Sequence, residues 1–273
     1  MPTIQLAPAR FDTGWSAVAP ESGPGPARLR IVTLNTWFAH THRAVRLDAQ
    51  LRAFEALDPH ILALQEVTAD LLKRLLAAPW FRARYAIPAS PALPLATHGY
   101  GTVLAVRCPV QHFEWTPFDD SAMGRGLLTA QLTDGPRVAT VHLESLAPYA
   151  HARATQLAAA TAALTTSETA LLMGDFNFDA TEADAPSLVP WTDLWPIQHP
   201  HSPGFTVDST TNAYRLPRGH VQRRIDHILL HNPARTWRLD HIDRIGTTPV
   251  APHIHLSDHY GLMAELVRAT GAA

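Results

Sequence analysis

The sequence predicts a layered α/β body with mixed sheets, and three observations carry that prediction. Short apolar runs rich in β-branched residues recur along the chain, as expected of buried strands. Two stretches with helical spacing, 44–57 and 151–164, lie among them. Strands and helices intermix without strict alternation, which argues against a plain doubly wound sheet.

Taken in order, residues 1–27 carry Pro8, Pro20, Pro24 and Pro26 with Gly14, Gly23 and Gly25, and read as an extension in which FDTGWSAV forms a peripheral strand or hairpin. From Arg28 the pattern changes. Leu29–Leu34 is a buried strand, and Ala44–Leu57 a helix with its apolar positions at Val45, Leu47, Leu51, Phe54 and Leu57. Asp58-Pro59 ends that helix, because a residue before proline is pushed out of the α region. His60–Gln65 reads as a strand and Ala69–Leu76 as a short helix. Strand-like runs follow at 99–106, 111–116, 124–132 and 136–143, separated by turn signals such as Asp134-Gly135-Pro136. His151–Leu164 is a helix, Ala170–Met173 a strand, and 179–223 a Pro- and His-rich segment dominated by loops. Ile225–Leu230, Trp237–Ile242 and Gly261–Val267 close the series as strands. No internal repeat divides residues 28–273, which read as one domain.

Composition sets limits. A 273-residue chain with 46% apolar and 17% charged residues has ample material for a core, which excludes disorder over most of its length. No run approaches the ~18 apolar residues of a membrane-spanning helix, and MPTIQLAPARFDTGW lacks an export signal. The single cysteine, Cys108, excludes an intrachain disulfide framework and a Cys-based zinc site; its setting, LAVRCPV, predicts burial. The cytoplasm is the expected compartment, with no membrane insertion and no obligate protein partner. A net charge of -2, from 22 cations and 24 anions, excludes binding to nucleic acid by bulk charge, although local charge could still serve.

Polar clusters recur just beyond apolar strand ends, where an α/β scaffold places its chemistry. They are Asn35 in TLNTW, Gln65-Glu66 in ILALQEV, His142, Glu144 and Ser145 in VHLES, Asp175 and Asn177 in LLMGDFN, Asp226-His227 in RRIDHILL, and Asp258-His259 in LSDHYGL. Any one alone is an ordinary loop residue; the recurrence is the signal. Carboxylates gathered in one cleft ~4 Å apart repel by roughly 4 kcal/mol per pair at an effective dielectric near 20, and they repel an anionic substrate too. A divalent cation resolves both problems, and oxygen-only ligation favours Mg²⁺ or Mn²⁺ over zinc. Gly174 provides a tight strand exit that points Asp175 and Asn177 into one cleft. An imidazolium at His259, held by Asp226, could stabilise charge on a phosphoryl oxygen. This is the equipment of metal-assisted phosphoester hydrolysis.

In that order, the motifs resemble the endonuclease/exonuclease/phosphatase superfamily from about Arg28 to Val267. The resemblance implies a four-layer α/β sandwich, with two packed mixed β-sheets flanked by helices and the site at one edge. It implies that Glu66 ligates the metal, aided by Asn35, with Asp258 orienting the site or approaching the ion. Asp175 would orient or deprotonate the attacking water, and Asn177 and His142 would contact the phosphate. His259 would stabilise the transition state with Asp226 as its partner. HLES with HARATQ, GFTVDS, NAYRLPR, RRIDHILL and SDHYGL is similar to the metal-dependent tyrosyl-DNA phosphodiesterases, a DNA-repair branch. That likeness adds Ser145 as a phosphate contact, and Arg215 and Arg224 as basic residues near the substrate groove.

Two departures stand out. Trp37 replaces the usual second acidic residue of the first motif, as in sphingomyelinase-type members, and Val207 stands where the branch presents an aromatic. Two functions are therefore expected: a Mg²⁺-dependent phosphodiesterase acting at a nucleic-acid end, such as 5′-phosphotyrosyl DNA, or an enzyme for a lipid headgroup or small phosphorylated metabolite. Among individual side chains, Trp37 reads as rim packing, and Phe176 and Phe178 as anchors of the GDFN loop. His227 reads as facing away from the cleft, because successive strand residues face opposite sides. Arg125 faces phosphate or a neighbouring carboxylate, and Arg218, Arg223 and Arg224 also fit a solvated loop.

Overall fold

The computed structural model describes residues 2–11, 15–17, 23, 25–88, 99–182, 185–216 and 219–269. Arg218 and part of FDTGWSAV lie outside them. The chain runs through β1 (Ile4–Leu6), β2 (Pro8–Phe11), β3 (Trp15–Ala17), β4 (Arg28–Asn35), α1 (Arg43–Leu57), β5 (Ile61–Thr68), α2 (Ala69–Ala77), α3 (Pro79–Arg84) and β6 (Ile87–Pro88). It continues with β7 (Tyr100–Val106), β8 (Val110–Pro117), β9 (Gly126–Leu132), β10 (Arg137–His142), α4 (Ala150–Leu164) and β11 (Ala170–Asp175). Then come β12 (Thr192–Asp193), α5 (Trp195–Gln198), β13 (Val207–Asp208), β14 (Gln222–Arg223), β15 (Asp226–His231), β16 (Trp237–Ile245) and β17 (Gly261–Arg268).

Two large sheets form the body. One has seven strands in the order β1-β8-β9-β10-β11-β15-β12, the other five in the order β16-β17-β4-β5-β7. Both are mixed: β10 pairs with β11 and β4 with β5 in parallel, and their other neighbours run antiparallel. Alternation along each strand sorts side chains into layers. Ile31, Ala63 and Ala264 of the smaller sheet meet Leu128, Val138, Leu171, Met173 and Ile228 of the larger in a dry core. The opposite faces carry the helices. Val32, Leu34, Leu62 and Leu64 pack on Leu47 and Phe54 of α1, on Leu71 and Leu75 of α2, and on Phe81 of α3. Ala139, Val141, Leu172 and Leu229 pack on Leu157, Ala160 and Leu164 of α4. The result is the expected four-layer sandwich of two packed mixed sheets flanked by helices. Burying each of the Val, Leu, Ile, Phe and Met side chains among them contributes roughly 1.5–3 kcal/mol.

The helix boundaries have local causes. α1 stops where Asp58 turns into the left-handed region (φ 46), so the residue before Pro59 leaves the right-handed helix as expected. α2 starts at Thr68, whose hydroxyl accepts the Leu71 N–H at 3.3 Å. The segment read as an extension contributes more strand than its composition suggests. β1 lies antiparallel along β8 at the edge of the seven-stranded sheet, and β2 joins β3 and β6 in a separate three-stranded sheet. Cys108 is buried, and no helix among the described residues is long and apolar enough to cross a membrane.

Candidate active site

Strand register brings the polar clusters together. The parallel pairs β4/β5 and β10/β11 end at the same edge of the sandwich, and the antiparallel β15 begins there. His142, Asp175 and Asp226 are aligned register partners across three neighbouring strands, and Asn35 is aligned with Gln65 on the facing sheet. The period of two that buries Val138, Leu171, Met173 and Ile228 between the sheets also turns His142, Asp175 and Asp226 into the mouth of that space. Beneath them, Gln65 Nε2 donates to Thr33 Oγ1 at 3.2 Å and to Thr140 Oγ1 at 3.0 Å, tying the two sheets together.

Glu66 reaches the same place by a different device. Simple alternation would send it outward after Gln65, but β5 is irregular between Leu64 and Val67, and Glu66 sits at φ 55. A bulge of this kind re-aims a side chain at the cost of backbone strain, which is common at functional sites. The amide of Asn35 then bridges two carboxylates, donating to Glu66 Oε1 at 3.1 Å and Asp175 Oδ2 at 2.9 Å. Phe38 N–H adds a bond to Glu66 Oε2 at 3.0 Å. Burial, and then the Asp258 carboxylate, push the Glu66 carboxyl above its ordinary value.

The GDFN turn needs its glycine. Gly174 has φ 134, and a Cβ there would lie 2.0 Å from the Val141 carbonyl oxygen. The turn brings the Asn177 backbone N–H to Asp175 Oδ1 at 2.9 Å and its amide to the Leu143 carbonyl at 3.0 Å. Phe176 and Phe178 are buried anchors of that loop, as expected. His227 points away from the cleft and is buried between them, with Nε2 3.3 Å from the Phe178 carbonyl and Nδ1 2.9 Å from Asp193.

The charge states follow from burial and neighbours. Burial, then Asp226, push the Asp175 carboxyl up to about 6. Burial opposes charge on His259, yet Asp226 at 2.9 Å, with Asp175 and Asp258, outweighs it and holds the imidazole at about 9. His142 goes the other way: burial, then Arg125, keep it well below its ordinary value. Arg125 Nη1 lies 2.8 Å from His142 Nδ1 and can only donate, so the neutral ring carries its proton on Nε2, which lies 3.4 Å from Asp175 Oδ2. Arg125 thus faces the His142 imidazole rather than a neighbouring carboxylate, and its guanidinium also lies over the Tyr100 ring at 5.8 Å.

The remaining expected residues divide. Asp258 lies beside Glu66 and pairs with Arg215 at 2.9 Å, so Arg215 is at the site. Ser145 Oγ lies 3.1 Å from Met123 Sδ, the sulfur that Arg125 Nη2 also meets at 3.6 Å. Arg224 is held away from the cluster by an ion pair with Asp193 at 2.6 Å and contact with His227. Arg223 instead borders a cavity of about 740 Å³ that reaches Asn177, where it pairs with Glu182. Trp37 packs at the rim against Tyr214 and beneath Arg46, each 4.6 Å away.

Several supporting residues had no signal in the sequence. Arg46 is wholly buried and donates to the carbonyls of Thr36, Trp37, Ala39 and Thr41, while Gln50 Nε2 joins Thr36 to Leu256. Thr206, inside GFTVDS, accepts the Asp226 N–H through Oγ1 at 3.2 Å and the Tyr260 N–H through its carbonyl at 2.7 Å. Thr206 thus anchors the backbone of Asp226 and of the residue that follows His259. Ser257 Oγ donates to the Asn35 carbonyl at 2.6 Å and accepts the His259 N–H at 3.2 Å.

The site also gathers a set of donor atoms suited to a cation. Ligand atoms of Asp175, Asp226 and His259 lie within 4.8 Å of one another, and Asp226 Oδ1 is buried with no hydrogen-bond partner among the described residues. Glu66 and Asp258 offer a second, oxygen-only group beside them. The oxygen-only group suits a hard cation better, because an imidazolium paired with Asp226 has no lone pair for a metal.

The comparisons with known proteins agree with this architecture. No curated protein matches the sequence. Among solved structures, D. rerio TDP2 complexed with a single-strand DNA product has a TM-score of 0.77 at 22% identity, covering 88% of this chain and 99% of that one. TDP2 from C. elegans has a TM-score of 0.72 at 19% identity, covering 88% and 75%. The human nocturnin catalytic domain with bound sulfate has a TM-score of 0.62 at 19% identity, covering 91% and 100%. These likenesses establish the fold. Residues 32–259, holding every motif from the end of β4 to His259, match the Endonuclease/Exonuclease/phosphatase family, and the chain belongs to that family of phosphoester hydrolases.

Proposed function

We propose that the chain is a Mg²⁺-dependent phosphodiesterase that hydrolyses a phosphoester at a nucleic-acid end, with a 5′-phosphotyrosyl DNA adduct as the leading substrate. The observation that carries this reading is the meeting of Glu66 and Asp175 on one amide, Asn35, beside the Asp226–His259 pair. Glu66 would hold the cation, with Asp258 and Asn35 completing its surroundings; Mn²⁺ would suit the same oxygen set. When bound, the ion supplies charge neutralisation at the phosphoryl oxygens.

The chain's own residues have distinct parts. Asp175, at about 6, is a base poised close to neutrality and takes the proton of the attacking water. His142 is neutral, and its Nε2 lies 3.4 Å from Asp175 Oδ2, so it adds no second positive charge beside that carboxylate. Asn177 and Ser145 would meet the phosphate oxygens; Asn177 spends one amide hydrogen on the Leu143 carbonyl and has a second to offer. His259 stays protonated through neutral pH, with Nδ1–H on Asp226 and Nε2–H left for the charge that builds on phosphorus-bound oxygen.

The nucleic-acid reading draws on the fold shared with a DNA-bound TDP2 structure. One observation favours the alternative, a lipid headgroup or small phosphorylated metabolite: Trp37 occupies the position where the family usually has a second acid. A single assay separates them. Turnover of a 5′-phosphotyrosyl oligonucleotide, abasic duplex, plain single strand, sphingomyelin and inositol phosphates is compared with Mg²⁺ and with chelator. Chelator-sensitive release of tyrosine from the oligonucleotide, well ahead of the other substrates, is the expected result. Faster turnover of sphingomyelin or an inositol phosphate would replace this reading with the alternative.

A further inference from the structure

The loop that follows β4 presents an aromatic surface next to the proposed cation site. Among the described exposed large apolar residues — Ile4, Phe38, Val45, Leu146, Val189, Ile197, Leu216 and Val250 — Phe38 alone is aromatic, at 44% exposure. A lone exposed apolar side chain is ordinary. Phe38 is not placed in an ordinary way. Its ring stacks flat on Tyr100, with centroids 4.6 Å apart and planes 7° apart, so one face is covered, and among the described residues no other ring stacks on it. Its own N–H donates to Glu66 Oε2 at 3.0 Å, which fixes the ring one residue from the carboxylate that would hold the cation.

The platform is also rigid. Asn35 Oδ1 accepts the Trp37 N–H at 3.0 Å, the buried Arg46 binds four carbonyls between Thr36 and Thr41, and Arg43 reaches the Phe38 carbonyl. Tyr100, beneath Phe38, is braced by the Arg125 guanidinium. A surface held this way loses little freedom when a ligand covers it, which is how preorganisation raises affinity.

We propose that the open face of Phe38 is a specificity-determining subsite that stacks a planar aromatic group attached to the scissile phosphate. The proposal rests on the phosphodiesterase reading above and adds the chemistry that selects the substrate. A nucleobase and the phenol ring of a tyrosyl ester share that chemistry. The subsite would supply aromatic support from the loop after β4, with Tyr100 stacked beneath it.

The test reads binding, so it does not depend on turnover. Affinities for thymidine 5′-phosphate, O-phosphotyrosine and 2-deoxyribose 5-phosphate are measured calorimetrically in Mg²⁺ for the wild type, Phe38→Ala and Phe38→Tyr. The wild type should bind at least one aromatic ligand about 5- to 150-fold more tightly than the sugar phosphate, the range expected of one base–aromatic stack. Phe38→Ala should bring that ratio close to one, and Phe38→Tyr should keep it. Whichever aromatic ligand binds better identifies the base or the phenol as the natural occupant. Equal binding of all three ligands by the wild type, or a Phe38→Ala variant that weakens all three alike, overturns the proposal. Failure of the phosphodiesterase reading shows elsewhere, as no chelator-sensitive hydrolysis of any diester in the substrate panel.

Discussion

Replacing Asp226 by Asn tests the electrostatic core of the site. The amide keeps the shape of the carboxylate but removes the charge that faces His259 Nδ1 at 2.9 Å. Burial opposes the imidazolium, and Asp226 is the first of the carboxylates that overcome it to hold the group at about 9 instead of 6.5. That rise corresponds to roughly 3 kcal/mol favouring the protonated ring. Without Asp226, burial should carry the ring below neutrality, because Asp175 and Asp258 only partly replace the lost partner. The assay is a pH–rate profile on a phosphodiester at saturating Mg²⁺. In the wild type, kcat/KM should fall as pH rises through about 9. In Asp226→Asn that descent should move below pH ~7, with kcat reduced by ~10²–10³ near neutrality, on the scale of one lost transition-state donor. Thermal stability gives an independent reading. A group whose folded value is raised contributes fully below 6.5 and loses its contribution as pH climbs through about 9, so the wild type should lose stability over that window and the variant much less. An alkaline descent that stays near 9 in the variant would refute the reasoning, because the titrating group would not be His259.

Three further outcomes are expected. Gly174→Ala should destabilise the protein by about 3 kcal/mol or more in denaturant unfolding, since its Cβ would lie 2.0 Å from the Val141 carbonyl oxygen at a φ of 134; a loss below ~1 kcal/mol would mean the turn has room to shift. Arg125→Met should lower kcat more than it raises KM, because His142 loses the donor that fixes its tautomer at Nδ1; a change confined to KM would make Arg125 a substrate contact only. Metal binding should stabilise the fold: a concentration of Mg²⁺ 100 times its Kd adds about 2.7 kcal/mol to unfolding. That gain should vanish in Glu66→Ala, and an equal gain in the variant would place the ion elsewhere.

The sequence carried most of the scaffold and most of the cluster, for a physical reason. Strands buried on both faces, such as Leu29–Leu34 and Ala170–Met173, read as apolar runs, and the polar residue that ends each run marks the sheet edge. The same regularity hid what broke it. Glu66 enters the site through a bulge at φ 55, a backbone event with no signature in ILALQEV. Ile4–Leu6 looked like part of a loose extension because proline and glycine dominate its surroundings, yet its partner Phe113–Trp115 lies over a hundred residues away. Arg46 acts on the site through hydrogen bonds to carbonyls five to ten residues before it, and Tyr100 through packing against distant residues, neither of which periodicity can reveal. Arg223 and Arg224 are adjacent and chemically identical, and only the course of the chain after β14 sends Arg224 to Asp193 and leaves Arg223 at the cavity.

The central claim is that Glu66 and its neighbours gather around a hard divalent cation to hydrolyse a phosphoester. Anomalous scattering from crystals grown with Mn²⁺ in place of Mg²⁺ tests it most directly. A strong peak is expected in contact with the Glu66 carboxylate and beside Asp258, lost in Glu66→Ala crystals together with turnover. A peak elsewhere, or a fully active enzyme with no peak at Glu66, would contradict it.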